Sequence, residues 1–285
     1  MFELKYAKMC DNSIFAKYGI KPVVEDYFEA KQNIFCIADG VTRDSIYGES
    51  VPYPENKEEV EKWIEVYPNP SGAFEAAKIC VQNYIKIVSD AKEINKEIMF
   101  EIVKKVNNEI WKINEGRKID YLAEDLYGCV AVGGVFQRES MYAFSIGDCH
   151  IKAFDENFNL QFESINNHAN FEKYLSEVYM KNNEFDWNKS KDRVIVRRDF
   201  RNKPNVKYKE KEVSFGVLTG EKEAKHYIDT YKIDLSSIKY ICAYSDGAEP
   251  FFEKKEIIKD IILNPSKFEK EGKERTLIIY EKRSA

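Results

Sequence analysis

No two cysteines in this 285-residue chain form a C-x-x-C pair, and the six of them (Cys10, Cys36, Cys80, Cys129, Cys149 and Cys242) show no spacing suited to zinc. Several fall inside apolar stretches, where a free thiol behaves as a small buried hydrophobe. That usage fits a reducing cytoplasm. Long apolar runs are also missing. The first residues, Met1-Phe2-Glu3-Leu4-Lys5, lack the apolar stretch of a signal peptide, and no run reaches transmembrane length. Nor is there an excess of positive charge: a formal net charge of -5 and a pI near 5.6 give no reason to expect nucleic acid or a membrane as partner. The basic run from Arg197 to Lys203 reads as a solvated face. With no internal repeat and no low-complexity linker, and with 44% hydrophobic residues for a core, the chain is expected to be a cytoplasmic protein of one α+β domain, 1–285.

What is present is a repeated strand ending. Ile34-Phe35-Cys36-Ile37-Ala38-Asp39-Gly40 is an apolar run, too short for a helix, that stops on a carboxylate and a glycine. Tyr240-Ile241-Cys242-Ala243-Tyr244-Ser245-Asp246-Gly247 repeats the pattern, and Met141 to Gly147-Asp148 reverses its last two residues. One Asp-Gly is a turn. Three at the ends of buried strands carry an electrostatic cost that a shared compensator would remove. Hard divalent cations suit that role because they take carboxylate and carbonyl oxygens, and a glycine lets its backbone approach the ion.

Taken in order, the chain predicts strands around 4–9, 23–29 and 34–38. The second carries Glu25 and Asp26, one of which alternation points toward the strand-end acids. Residues 47–69 hold three prolines and a charged run and read as an exposed loop with at most a helical turn. Ser71 caps a helix with Phe74, Ala77, Val81, Tyr84 and Val88 on one face, and a second helix places Ile98, Ile102, Val106 and Ile110 four apart, with Met99, Val103 and Trp111 beside them. Residues 127–136 form a central strand, followed at once by the strand that ends at Asp148 and its continuation, 151–154. Such succession argues for antiparallel meanders. His168 reads as a cap or surface residue before a helix at 171–180. The region 155–204 is set apart as a flap or insertion, containing Trp187 and the basic segment 193–203. Strands at 213–218, 240–244 and 276–281 and helices at 221–228 and 254–263 complete the chain.

The ordered set Glu25-Asp26, Asp39-Gly40, Gly128-Cys129-Val130-Ala131, Gly147-Asp148-Cys149, Ser245-Asp246-Gly247 and Glu274-Arg275-Thr276 resembles the type 2C (PPM) metal-dependent Ser/Thr protein phosphatase family. The resemblance implies a β-sandwich of two antiparallel sheets flanked by helix pairs, in α-β-β-α layers. It implies two Mg²⁺ or Mn²⁺ ions and a third, weaker one. Asp39 would bridge two ions and the activated water, Gly40 would offer its carbonyl, Glu25 and Asp26 would join one ion, Asp246 the other, and Asp148 would lie near the third. Lys21 stands where the family places an arginine for phosphate; it offers a point charge without the bidentate fork. Thr42 and Arg43 follow the first Asp-Gly, where some members carry a general-acid histidine, and are candidates for substrate contact. At the last motif Lys273 takes the position of a metal-binding Asp, and Glu274 is the acid placed to substitute.

The expected activity is hydrolysis of phosphoserine or phosphothreonine on proteins. Two alternatives stand beside it: a catalytically impaired phosphatase-fold module that binds a phosphorylated partner, and a phosphatase of small phosphate esters. The retained acids favour activity, and the two lysines favour the impaired module.

Overall fold

Period-two alternation decides where each strand of this protein sits. The computed structural model describes residues 1–10, 14–20, 23–41, 45–46, 49–50, 54, 56–122, 124–181, 190–269 and 274–283. Lys21, Thr42, Arg43, Trp187 and Lys273 lie outside them. The elements run β1 (Phe2–Cys10), α1 (Ile14–Lys17), β2 (Tyr27–Ala30), β3 (Ile34–Gly40), a ribbon of β4 (Ser45–Ile46) and β5 (Glu49–Ser50), α2 (Lys57–Val66), α3 (Gly72–Asp90) and α4 (Lys96–Asn114). Then follow β6 (Cys129–Gln137), β7 (Ser140–Ile146), β8 (His150–Phe154), β9 (Leu160–Glu163), α5 (Ala169–Tyr174), α6 (Ser190–Asp199) and the β10–β11 ribbon (Lys207–Tyr208, Lys211–Glu212). Last come β12 (Asp229–Asp234), β13 (Tyr240–Tyr244), α7 (Lys255–Leu263) and β14 (Arg275–Lys282).

Two five-stranded antiparallel sheets result, ordered β1-β14-β13-β8-β9 and β12-β7-β6-β3-β2. Phe35 and Ile37 of β3, Val130 and Val132 of β6, Ile241 and Ala243 of β13, and Ile278 and Tyr280 of β14 meet in the core between them. The opposite parity of β3, namely Ile34, Cys36 and Ala38, packs instead on α3 and α4. On the far side, Cys242, Tyr244, Leu277 and Ile279 pack against Ile258, Ile261 and Ile262 of α7. The layers are therefore α-β-β-α, and every named strand pair is antiparallel. All six cysteines are free and buried, and among the described residues no helix is long and apolar enough to cross a membrane.

Several local expectations change. Residues 23–26 are not strand; β2 begins at Tyr27, because the N–H groups of Glu25 and Asp26 are taken by a side chain rather than by a ladder. The loop at 47–69 contains a ten-residue helix, α2. Asn56 caps it, Lys62 pairs with Glu58 one turn back, and Val60 and Trp63 are buried, so the charged run is its outer face. On α4 the buried stripe is Met99, Ile102, Val103, Val106 and Ile110, leaving Ile98 and Trp111 outside at 38% and 41% exposure. The strand at 151–154 is β8, and it belongs to the sheet opposite β7: the Gly147-Asp148 bend carries the chain across the sandwich. Residues 213–218, expected as a strand, make only isolated bridges, at Phe215 and Leu218, and the edge strand beside β7 is β12. The Arg197–Lys203 run is not a uniformly solvated face, since Arg197 and Arg201 are buried on Asp125, at 3.1 and 2.7 Å.

Candidate functional site

Asp39 shares the parity of Phe35 and Ile37, so it stands on the inter-sheet face of β3 at the point where the apolar layer ends. Ser245 follows β13 on the corresponding face, and Thr276, the second residue of β14, stands there; the Ser245 N–H donates to the Thr276 carbonyl at 3.2 Å. Three strands of two sheets thus end together. Gly40 can occupy its position only without a side chain: a Cβ would lie 2.6 Å from the carbonyl carbon of Ala73 and 2.8 Å from the Glu25 carbonyl oxygen. The Gly40 N–H donates to that same Glu25 oxygen at 3.1 Å, which pins residue 25 beside Asp39.

The two acids before β2 are held from different sides. Glu25 Oε1 accepts from the Tyr67 hydroxyl at 2.5 Å and from Ser71 Oγ at 2.9 Å. Tyr67 ends α2, its ring stacked on Trp63 at 3.9 Å, and Ser71 also accepts the Phe74 N–H as the N-cap of α3. Asp26 Oδ2 accepts from Ser245 Oγ at 2.8 Å and Thr276 Oγ1 at 2.6 Å, while Ser245 Oγ in turn accepts the Thr276 N–H. Asp26 therefore ties β13 to β14. Glu274 completes the frame: its Oε1 accepts both the Glu25 and Asp26 N–H groups, each at 2.6 Å.

Charge is unevenly balanced across these groups. Burial first, then the carboxylates of Asp26, Asp246, Asp148 and Glu274, push the Asp39 carboxyl well above its usual range. Burial pushes Asp26 up to about 7, against the Thr276 and Ser245 hydrogen bonds and with Asp246 and Glu25 adding to the rise. Glu274 is pushed up to about 9, again by burial and then by Asp26. Asp148 differs. Burial would raise it, but the charge and hydrogen bond of His168, whose Nδ1 lies 2.9 Å from Asp148 Oδ2, outweigh burial and hold it below the usual carboxylate range.

All the acids named from sequence are thus at one end of the sandwich, joined by contact or by charge. Among the described residues, no group of three or more His, Cys, Asp or Glu is gathered closely enough to hold an ion as it stands. Oxygens of Glu25, Asp26 and Glu274 already accept hydrogen bonds, which makes these three partly structural. The donor chemistry nonetheless fits a hard cation. Asp39 is a carboxylate at the edge of a core with four other carboxylates in electrostatic reach, and among the described residues no donor bonds it. Like charges so placed are relieved by protonation or by a cation. A cavity of about 740 Å³, lined by Phe2, Phe136 and Leu235 among others, opens at the opposite ends of the same strands and has no acid cluster.

Sequence reasoning missed Tyr67, which carries no local signal, and the role of His168, read as a cap or surface residue. Ser71 was visible only as a cap. Ser245 and Thr276 stood inside the quoted motifs, but as neighbours of the acids rather than as their hydrogen-bond donors.

No protein-family model matches the chain, and no curated protein sequence matches it. Solved structures do. The Mycobacterium tuberculosis serine/threonine phosphatase PstP/Ppp superposes with a TM-score of 0.58 at 10% identity, over 99% of each chain. The catalytic domain of PstP in complex with two manganese ions gives 0.57 at 9% identity, over 99% of each. Stp1 from Staphylococcus aureus gives 0.57 at 9% identity, over 100% of this chain and 96% of that one. The architecture is that of the bacterial PPM-type Ser/Thr phosphatases, carried by a divergent sequence, and at these identities the likeness speaks to the fold.

Proposed function

We propose that this chain is a metal-dependent phosphatase acting on phosphoserine or phosphothreonine in proteins, in the cytoplasm. The observation that carries the reading is Asp39: a carboxyl at the edge of the inter-sheet core, raised by burial and by Asp26, Asp246, Asp148 and Glu274, where a protein without a cation to hold has no reason to gather acids. Asp39, the Gly40 carbonyl, Asp246 and Asp148 are the ligands we assign to Mg²⁺ or Mn²⁺, with Glu25, Asp26 and Glu274 contributing whichever oxygens their hydrogen bonds leave over. Ions held there supply positive charge for a phosphoryl group and acidify a water for attack on phosphorus. The chain's own part is placement. Tyr67 and Ser71 orient Glu25, Ser245 and Thr276 orient Asp26, and Glu274 fixes the backbone of both. Lys21, Thr42 and Arg43 are assigned to the phosphate side on sequence position alone. The region 155–204 is assigned to the substrate surface of a single domain. Its six buried free thiols suit a reducing compartment.

One observation favours a different reading. The engagement of Glu25, Asp26 and Glu274 in hydrogen bonds is what an impaired, partner-binding module would also display. Release of inorganic phosphate from a phosphoserine peptide and from p-nitrophenyl phosphate, in Mn²⁺ and in EDTA, separates the alternatives. Mn²⁺-dependent release from the peptide supports the proposal. Release from the small ester alone supports the ester phosphatase, and none from either, with retained binding of the peptide, supports the module.

A further inference from the structure

Of the three histidines in the chain, one touches the acid cluster directly, and the segment around it is fixed from several sides. His168 Nδ1 meets Asp148 Oδ2 at 2.9 Å. The neighbouring Asn167 N–H donates to the Gly147 carbonyl at 3.3 Å, so two successive residues grip the two residues of the bend that crosses between the sheets. Asn166 Oδ1 accepts the His168 N–H at 2.8 Å. The Asn167 amide donates to the Tyr227 carbonyl and to Asp229 Oδ2, at 2.9 and 3.0 Å, which ties the segment to the entry of β12. The imidazole meets the Phe215 ring edge-on, with centroids 4.6 Å apart. Its other nitrogen, Nε2, is buried and has no hydrogen-bond partner among the described residues. The ring therefore has one polar task, and it faces away from solvent. Asp148, by contrast, keeps a quarter of its side chain exposed and sits in a two-residue turn whose Gly147 has a φ of +82°; apart from its own backbone N–H, His168 is the hydrogen-bond partner its carboxylate has among the described residues.

We propose that His168 is a positioning residue that sets the Asp148 carboxylate for cation capture, an inference that rests on the metal-site reading above. A ligand held by a partner behind it loses less freedom on binding the ion, and removing such a partner typically weakens metal affinity by about 10–100-fold. With Nε2 buried, the ring has no route to a leaving group, so its contribution runs through Asp148.

The test uses the full chain with two substitutions. In His168→Asn the amide nitrogen takes the place of Nδ1; in His168→Leu there is no donor. Amide hydrogen exchange on metal-free protein reads the anchoring, and calorimetric Mn²⁺ titration reads the capture. In His168→Leu, residues 147–149 and 167 are expected to exchange on the order of tenfold faster. The weakest Mn²⁺ site is expected to lose about tenfold or more in affinity while tighter sites are kept, and His168→Asn recovers both. If His168→Leu loses its fold by circular dichroism, His168→Gln replaces it, since that amide reaches the Nε2 position and not Nδ1. Unchanged exchange and unchanged weak-site affinity in the variant without the donor would overturn the proposal, as would a His168→Asn protein that behaves like it. A wild-type chain that takes up no Mn²⁺ contradicts the metal reading itself, and with it the capture. Exchange still decides whether His168 anchors Asp148.

Discussion

Glu274→Ala and Glu274→Gln separate two roles of one side chain. The alanine variant deletes the acceptor of two backbone N–H groups, those of Glu25 and Asp26. Leaving a buried donor unpaired costs about 1–3 kcal/mol; two donors, partly reached by water, give a loss of about 2–4 kcal/mol. At roughly 2–4 °C per kcal/mol for a chain of this size, Tm falls by about 4–16 °C. Glutamine keeps an Oε1 at the same reach, so both bonds persist. It also removes a carboxyl that burial and Asp26 push up to about 9. In EDTA near pH 8, Glu274→Gln should therefore match or exceed wild type while Glu274→Ala unfolds early, both followed by circular dichroism. If the two variants lose Tm equally, or if the alanine change is silent, the clamp is not what organises residues 25 and 26.

Further outcomes follow from the same geometry. Asp26 and Glu274 hold protons in the folded metal-free chain up to about 7 and about 9, against ordinary carboxylate values when unfolded, so their contribution is full below those ordinary values and lost as pH rises through 7 to 9. The Tm in EDTA should drop between pH 5 and pH 9 and the slope should flatten in saturating Mn²⁺; a Tm that climbs with pH in EDTA contradicts this. Asp125→Ala removes the carboxylate that the buried Arg197 and Arg201 share and should cost about 3–5 kcal/mol, read as a lower urea midpoint; a shift under about 1 kcal/mol would mean that other groups or water compensate the two guanidiniums. Gly40→Ala, forced to within 2.6 Å of Ala73, should destabilise the chain and disturb Asp39, and an unchanged Tm would refute the close approach.

The strands that carry Asp39, Asp148 and Asp246 were legible because burial on both faces leaves a short, unbroken apolar run, and a carboxylate ending such a run stands out. The α-β-β-α layering was not readable from periodicity; it came from the order of the motifs. The helix that presents Tyr67 was hidden because the residues it buries are few, Val60 and Trp63, and prolines on both sides weigh toward a loop. The start of β2 was misread by four residues because propensity cannot see that Glu274, almost the whole chain away, claims the N–H groups of Glu25 and Asp26. Arg197 and Arg201 misled for the same reason: a basic run looks solvated until its distant carboxylate, Asp125, is in place.

The most direct measurement is hydrolysis of p-nitrophenyl phosphate by metal-stripped wild type and Asp39→Asn, with Mn²⁺ titrated back and the fold of both followed by circular dichroism. Turnover that rises with Mn²⁺ in wild type and is absent in a folded Asp39→Asn protein is the expected result. Equal turnover in the two proteins, or none in a wild type that binds no Mn²⁺, would contradict the assignment of the acid cluster as a metal-dependent phosphatase site.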